Sequence, residues 1–179
     1  FFSFAFLENS LSLLHPNWPE NIFGKTYFMR PEFLIIPVLA FSTLLFLKRG
    51  ITAIEQASNK KILFFVLLAL TAAFFAKGAN DPFGGVFIWV FEHFPGGSFF
   101  RDPTKFYSLI AVSYAILIPY ALYSIAKKIK NVNVKKIIPI LFIIFWFFTL
   151  RLLFAPETKT LRVREIPQSY IQLKDFLLS

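Results

Sequence analysis

Long apolar runs alternate along the chain with short segments that hold most of its charged residues. The run 106–126 contains no charged residue, and the run 137–155 contains a single one, Arg151. Two shorter runs, 33–47 and 62–76, are also free of charge. All four are apolar on every side of a helix, whereas a surface helix of a soluble protein has a polar face. About 20 apolar residues cross the hydrocarbon core, so the pattern predicts an all-α bundle with about four transmembrane helices.

The two shorter runs need residues from their flanks to cross the hydrocarbon. The first span can be completed by the flanking residues Pro31–Glu32. Both spans can be completed by lysines whose side chains extend from the helix ends to the membrane surface. Those lysines are Lys48, Lys60, Lys61 and Lys77. The predicted membrane domain therefore covers residues 33–155, with transmembrane segments 33–47, 62–76, 106–126 and 137–155.

Three prolines and one arginine lie within these runs. Pro37 and Pro119 are expected to kink their helices, whereas Pro139 falls in a first helical turn and is tolerated there. Arg151, near the end of the last run, is expected to extend its side chain to the membrane surface.

The basic residues are distributed unevenly between the segments that join the runs. The segment 48–61 has four basic residues and one acid, and the segment 127–136 has five lysines and no acid. Together they hold nearly all of the net charge of +9, while 77–105 is balanced. Because short cytoplasmic loops are enriched in Lys and Arg, 48–61 and 127–136 are predicted to be cytoplasmic in a multi-pass protein of the cell membrane. The extracytoplasmic segments are then 1–32, 78–105 and 156–179.

Composition supports the membrane interpretation and excludes several kinds of site. Hydrophobic residues make up 56% of the chain and charged residues 16%, against about 25% charged in soluble domains. Since topology accounts for the basic charge, the predicted partner is the lipid bilayer and no nucleic-acid partner is predicted. The chain has no cysteine, which excludes disulfides, thiolate metal sites and cysteine nucleophiles.

The two ends of the chain differ from the membrane region. Residues 1–32 are predicted to form an extracytoplasmic loop or interfacial segment. In 156–179, the alternation around Leu161–Val163 predicts a short strand, and the apolar residues of 170–177 fall on one face of a helix. A strand followed by a helix predicts the start of an extracytoplasmic α/β domain. Because the chain begins with Phe1 and stops within that helix, a fragment of a longer protein is expected.

The segment 78–105 holds the most distinctive residues. Its apolar part, 83–94, is far too short to span the bilayer and is predicted to form a re-entrant or interfacial short helix, with Trp89 as an interfacial anchor. Gly-Gly and Pro-Gly-Gly sequences mark the two ends of this part. Irregular backbone at membrane depth is tolerated where it is buried in protein or lines a cavity, so a cavity is expected here.

The sequence FRDPTKF follows this apolar part. Asp102 and Pro103 predict the start of the third transmembrane helix, because Asp accepts hydrogen bonds from free amides at the N-cap and Pro has no amide to lose at N1. The positive end of that helix then lies beside Arg101 and Lys105, a combination that suits a phosphate or diphosphate head group. The alternative is that both cations contact lipid phosphates nonspecifically and Asp102 only caps the helix.

Asp81, Glu92 and His93 are the remaining, weaker candidates for a site. Carboxylates bind divalent cations or act as bases, so a divalent cation stays open as a cofactor. The spacing of these residues fits no metal motif, and no metal ligands are assigned. Asp81 before Pro82 is interpreted as a turn or cap residue and Glu92–His93 as an interfacial pair. No catalytic residue is assigned.

The order of a short apolar segment, Pro-Gly and then FRDPTKF before a membrane helix resembles multispanning membrane glycosyltransferases of the GT-C type. The similar proteins are the arabinofuranosyltransferase-like proteins and bacterial membrane proteins implicated in glycosylating cell-surface polymers. The stretch LLHPNWPENIFGKTYFMRPEF also resembles an external loop of uncharacterised archaeal and bacterial members. The resemblance covers about residues 14–105 and rests on short motifs.

The resemblance implies an integral membrane enzyme that transfers a sugar from a polyprenyl-phosphate donor on the extracytoplasmic face. In such an enzyme Arg101 and Lys105 would hold the lipid phosphate, and Asp102 would fix the helix start between them. The family's catalytic acid usually lies in the first external loop near the protein's N-terminus. That region is expected to be absent here unless Glu8, Glu20 or Glu32 substitutes for it, so this chain alone is expected to be inactive. Two other classes stay open, a transporter or flippase for a lipid-linked substrate and a non-catalytic membrane scaffold.

Overall fold

The computed structural model describes residues 5–14, 31–47, 53–97, 102–151 and 168–178, and all regular structure in these ranges is helical. The α-helices, in chain order, are α1 (Leu7–Leu11), α2 (Ile35–Phe41), α3 (Ala53–Ala76), α4 (Gly84–His93), α5 (Tyr107–Lys128), α6 (Val132–Leu150) and α7 (Gln168–Leu178). Short 3₁₀ helices precede α2 at Pro31–Leu34, follow it at Ser42–Phe46 and precede α5 at Pro103–Phe106. The prediction of a helical fold is confirmed for this part of the chain.

Three helices in the described ranges are long and apolar enough to cross a membrane. They cover Gln56–Ala76, Pro103–Lys128 and Val132–Thr149. The first predicted span, 33–47, forms a shorter apolar helical stretch, Pro31–Phe46. These helices carry many exposed apolar side chains, including Leu45, Leu67 and Phe147, which are 80%, 62% and 69% exposed. Such surfaces indicate a membrane protein, because a soluble monomer rarely exposes so much contiguous apolar area.

The chain divides into two compact units, residues 1–149 and 150–179. The second unit contains α7, which lies where the sequence predicts a helix after Pro167. The predicted strand around Leu161–Val163 lies outside the described residues. Arg151 directly follows the end of α6 at Leu150 and is half-buried.

Two helix starts differ from the prediction. The first long helix, α3, begins at Ala53, before the predicted span 62–76, because the preceding residues AIEQASNKK are mostly good helix formers. Lys60 and Lys61 therefore lie inside α3, where they are exposed. Part of the predicted loop 48–61 is thus helical.

The last long helix also begins earlier than its apolar run. Asn131 caps it, since its Oδ1 accepts hydrogen bonds from the amides of Asn133 at 2.9 Å and Val134 at 3.4 Å. The sequence predicts Pro139 in the first turn of this helix, but it lies in the interior of α6. The prediction was wrong because it took the first apolar residue, Ile137, as the helix start.

The core of the bundle is the contact between α3 and α5. The buried face of α3 consists largely of alanines, among them Ala69 and Ala73, and it meets the larger α5 residues Ile110, Tyr114 and Leu117. Alanines let two backbones approach closely, which is how helices pack in a bilayer where lipid is as apolar as the core. The outer helix α6 packs much less against the rest of the bundle, since only 6% of its apolar stretch Val132–Thr149 is buried.

Two aromatic contacts show which helix ends lie together. The rings of Phe75 and Phe106 stack with centroids 5.0 Å apart, so the end of α3 lies beside the start of α5. At the other end, the ammonium of Lys128 lies 4.7 Å from the centroid of the Phe46 ring. We call the first the Lys77 end, because Lys77 directly follows α3. We call the second the Lys127 end, because Lys127 lies in the last turn of α5.

Candidate functional site

Segments from distant parts of the chain meet at the Lys77 end. The Asn80 side chain donates a 2.6 Å hydrogen bond to the carbonyl of Ala5. The hydroxyl of Tyr107 donates to the carbonyl of Leu14 at 3.2 Å. These bonds hold residues 5–14 against the turn that follows α3 and against the first turn of α5.

Lys77 is buried at this end, with 1% of its surface exposed. Its Nζ donates hydrogen bonds to the carbonyls of Asn80 at 2.6 Å and Gly78 at 3.3 Å, and it lies 4.9 Å from the Phe74 ring centroid. Burial lowers the pKa of this ammonium, and the charge of Asp81 opposes that shift. The prediction that Lys77 extends to the membrane surface was wrong, because the carbonyls of its own turn hold the ammonium inside the protein.

The short helix α1 adds polar side chains to the same interior. Asn9, Ser10 and Ser12 are all buried. Ser10 Oγ donates to the carbonyl of Phe6 at 3.2 Å and lies 3.4 Å from the Tyr107 hydroxyl, whose single proton it shares with the Leu14 carbonyl. Within the described ranges, both amide atoms of Asn9 and the hydroxyl of Ser12 are buried without a hydrogen-bond partner. Sequence reasoning missed this group, because nothing local shows that a five-residue helix lies against α3.

An apolar cavity of about 210 Å³ lies at the same end of the bundle. Its lining comes from the end of α3, from α4 and from the turn before α5, and includes Phe75, Phe87 and Phe106. The ring of Phe75 contacts both of the other two, with centroids 6.3 Å from Phe87 and 5.0 Å from Phe106. The sequence predicts a cavity in this loop, and the one present is aromatic and almost free of polar lining.

Two glycines let the backbone around α4 pack closely beside this cavity. A Cβ on Gly84 would collide with the carbonyl oxygen of Ala79, and one on Gly97 with the carbonyl oxygen of Phe91. Phe83, just before α4, has a left-handed φ of 63°. The predicted short helix is present as α4, which has ten residues from Gly84 to His93. Ten residues are too few to span a bilayer.

The predicted cap at Asp102 is confirmed. Its Oδ1 accepts hydrogen bonds from the Thr104 amide at 3.0 Å and the Thr104 hydroxyl at 2.6 Å. Pro103 occupies the first helical position, as predicted. Lys105 lies in the same turn and is exposed, and its neighbour Phe106 lines the aromatic cavity. Arg101, the other predicted phosphate-binding residue, lies outside the described residues.

The weaker candidates lie in the turn after α3 and at the end of α4. Asp81 is exposed in the turn after α3, where it faces the charge of Lys77. Glu92 and His93 are exposed at the end of α4, with His93 Nδ1 2.9 Å from the carbonyl oxygen of Trp89 and its ring stacked on the indole at 5.0 Å. In the described part of the chain, no three His, Cys, Asp or Glu side chains group as metal ligands. In the described residues, the Asp102 turn places the exposed ammonium of Lys105 next to Phe106, which lines the apolar cavity.

Comparison of the chain with models of protein families, with curated proteins and with solved structures finds no match.

Proposed function

We propose that this chain is the membrane part of a glycosyltransferase-like protein that uses a polyprenyl-phosphate-linked sugar on the extracytoplasmic face. The observation that carries the proposal is the position of the aromatic cavity. Phe106 lines it, and Phe106 directly follows Lys105 in the turn that Asp102 caps. A lipid phosphate held at that turn has an apolar recess beside it for its first isoprene units.

The chemistry of sugar transfer explains why cations belong at this turn. When the acceptor oxygen bonds to the anomeric carbon, the bond to the donor oxygen breaks and polyprenyl phosphate leaves with the electron pair. Cations and free helix amides stabilise the charge that develops on the leaving phosphate. Lys105 and, from the sequence, Arg101 supply the charge, while Asp102 keeps the first turn fixed. The base that accepts the proton of the acceptor hydroxyl is proposed to lie outside the described residues.

The proposed topology places this turn outside the cell. Pro31–Phe46 acts as a fourth, shorter span before the three long helices. The lysine-rich segments 48–61 and 127–136 are cytoplasmic because short cytoplasmic loops are rich in Lys and Arg. The Lys77 end and residues 156–179, with the proposed α/β domain, are then extracytoplasmic.

The test is lipid binding by the full protein in nanodiscs. Undecaprenyl phosphate is compared with undecaprenol, which has the same chain without the phosphate. We expect Lys105→Gln and Arg101→Gln each to weaken binding of the phosphate about tenfold, the usual effect of losing a charged hydrogen bond. Lys130→Gln, an exposed lysine at the Lys127 end, is the matched control.

Equal binding of undecaprenol and undecaprenyl phosphate would overturn the proposal, as would unchanged binding in Lys105→Gln and Arg101→Gln. The other two classes predict different results in cells. A scaffold keeps wild-type glycan levels in both variants, and a flippase loses movement of the lipid while transfer to an external acceptor continues. Loss of glycan transfer at normal expression supports the enzyme.

A further inference from the structure

A second and larger recess lies between α5 and α6 and shares no lining residue with the aromatic cavity. It is an apolar groove of about 940 Å³, near the upper end of the roughly 300–1,000 Å³ typical of ligand sites. Small residues of α5 such as Ala111 and Ala115 form one wall, and Phe142 and Trp146 of α6 form the other. The groove exists because α6 is held to α5 by the short connection Ile129–Asn131 but packs little against the bundle.

The groove is apolar along its length and basic at one end. Its lining on α5 runs from Ala111 to Ala126, about 22 Å at 1.5 Å per residue. That exceeds half of the roughly 30 Å hydrocarbon core, so one leaflet's acyl chains fit within it. At the Lys127 end the lining includes Lys127 and Lys135. Both are exposed, and the segment 127–136 holds five lysines and no acid.

A recess of about 520 Å³, with several polar side chains in an otherwise apolar lining, adjoins the basic end of the groove. The two share Tyr123 and Lys127 in their linings. The other polar side chains of the recess are Ser58, Asn59, Tyr120, Ser124 and Lys128. Hydroxyl, amide and ammonium groups together match the phosphate, glycerol and hydroxyl oxygens of a lipid head group.

We propose that this groove and recess bind an anionic glycerophospholipid from the leaflet at the Lys127 end. Its acyl chains lie between α5 and α6, its phosphate lies between Lys127 and Lys135, and its head group enters the recess. Charge selects this occupant, because a zwitterionic lipid leaves the lysine cluster without net counter-charge and a free phosphate leaves the apolar groove empty. Basic pockets between transmembrane helices are established sites for anionic head groups. The proposal does not depend on the glycosyltransferase assignment.

The test uses the fluorescence of Trp146, which lines the groove. Trp18→Phe and Trp89→Phe leave it as the single tryptophan of the full chain, since the chain has three. The protein is reconstituted in phosphatidylcholine vesicles containing either phosphatidylglycerol or phosphatidylcholine with brominated acyl chains, at equal mole fraction. Bromine quenches tryptophan on contact, so quenching reports which lipid occupies the groove.

We expect brominated phosphatidylglycerol to quench at a concentration about tenfold lower than brominated phosphatidylcholine does, since each lysine near the surface favours an anionic lipid several-fold. Lys127→Gln with Lys135→Gln should reduce this preference to about twofold or less. The matched control, Lys130→Gln with Lys136→Gln, removes the same charge from the same segment at residues that do not line the groove, and should keep the preference.

Equal quenching by the two brominated lipids overturns the proposal, and so does a preference that persists in Lys127→Gln with Lys135→Gln. Absence of quenching by both lipids also overturns it, because the groove is then covered by protein. Native mass spectrometry of the unaltered chain, with an equimolar mixture of the two lipids, gives a readout without the tryptophan substitutions. Retention of phosphatidylcholine as often as phosphatidylglycerol there contradicts the proposal independently.

Discussion

The hydroxyl of Tyr114 donates a 2.8 Å hydrogen bond to the backbone carbonyl of Leu11, 103 residues earlier in the chain. The same ring meets Phe41 edge-on, with centroids 6.0 Å apart. Tyr114 is 2% exposed, so a single buried side chain of α5 connects α1 and α2. The position of the N-terminal segment therefore depends on α5.

Tyr114→Phe should destabilise the protein by about 1–3 kcal/mol, because it leaves the Leu11 carbonyl without this donor while keeping the ring. The unfolding midpoint in detergent micelles measures the effect. Tyr123→Phe is the control, since Tyr123 is 65% exposed, and it should change the midpoint little. Equal midpoints for Tyr114→Phe and the unaltered protein would show that the bond contributes nothing.

Stability should rise as the pH increases through the region where Lys77 loses its proton. Burial lowers the pKa of Lys77 in the folded protein, so between that pKa and the usual lysine value of about 10.4 the unfolded chain binds more protons. The free energy of unfolding then increases with pH in this window and is independent of this group below it. Unfolding midpoints measured from pH 7 to about 10 test this.

Lys77→Met should remove the rise, since it removes the titrating group. Lys130→Met, at an exposed lysine, should keep it. Parallel pH profiles for Lys77→Met and the unaltered protein would contradict the assignment of the rise to Lys77.

Gly84→Ala should destabilise the packing of α4 by about 1–3 kcal/mol, because the new Cβ collides with the Ala79 carbonyl oxygen. The adjacent Gly85 has open space around a Cβ. Gly85→Ala should therefore be neutral or stabilising, by up to about 1 kcal/mol from helix propensity. The two variants have the same composition and differ only in which of the adjacent glycines is replaced. Comparing their unfolding midpoints therefore isolates the steric effect at Gly84. A loss of stability in Gly85→Ala equal to that in Gly84→Ala would exclude the steric explanation.

The absence of native cysteine allows the proposed topology to be tested with single cysteines in an otherwise unaltered chain. Glu92→Cys in α4 and Lys130→Cys between α5 and α6 both replace exposed residues. We expect a membrane-impermeant maleimide to label Glu92→Cys in intact cells and Lys130→Cys only after the membrane is opened. Labelling of Lys130→Cys but not of Glu92→Cys in intact cells would show the reverse orientation. Labelling of both variants in intact cells would exclude the four-span topology.

Features that depend on neighbouring residues could be read from the sequence. The cap at Asp102 follows from Asp and Pro side by side, since the bonds to Thr104 join residues two apart. The long helices follow from uninterrupted apolar runs. Helix starts were less accurate where polar residues extend a helix beyond its apolar run, as at Ala53 and Asn131.

Features that join distant segments could not be read in this way. The sequence predicts that Lys77 extends to the membrane surface, but Lys77 is buried and bonded within the turn that follows α3. The predicted loop or interfacial segment 1–32 contains α1, and the hydroxyls of Tyr107 and Tyr114 bond to the carbonyls of Leu14 and Leu11 in that part of the chain. The apolar faces of α5 and α6 are evident in the sequence, but the groove between them depends on how far apart the two helices lie.

The sequence by itself determined that the membrane region is helical in the residues that the structure describes, that its long helices are apolar on all sides, and that a capped helix starts at Asp102. Hydrophobicity and local hydrogen bonding are enough for these features, because they act within a few residues. Only the tertiary structure decided that an aromatic cavity adjoins the Asp102 turn, that Lys77 lies inside the protein, and that a basic-ended groove separates α5 from α6. Each depends on contacts between residues far apart in the chain, which are set by the packing of whole helices.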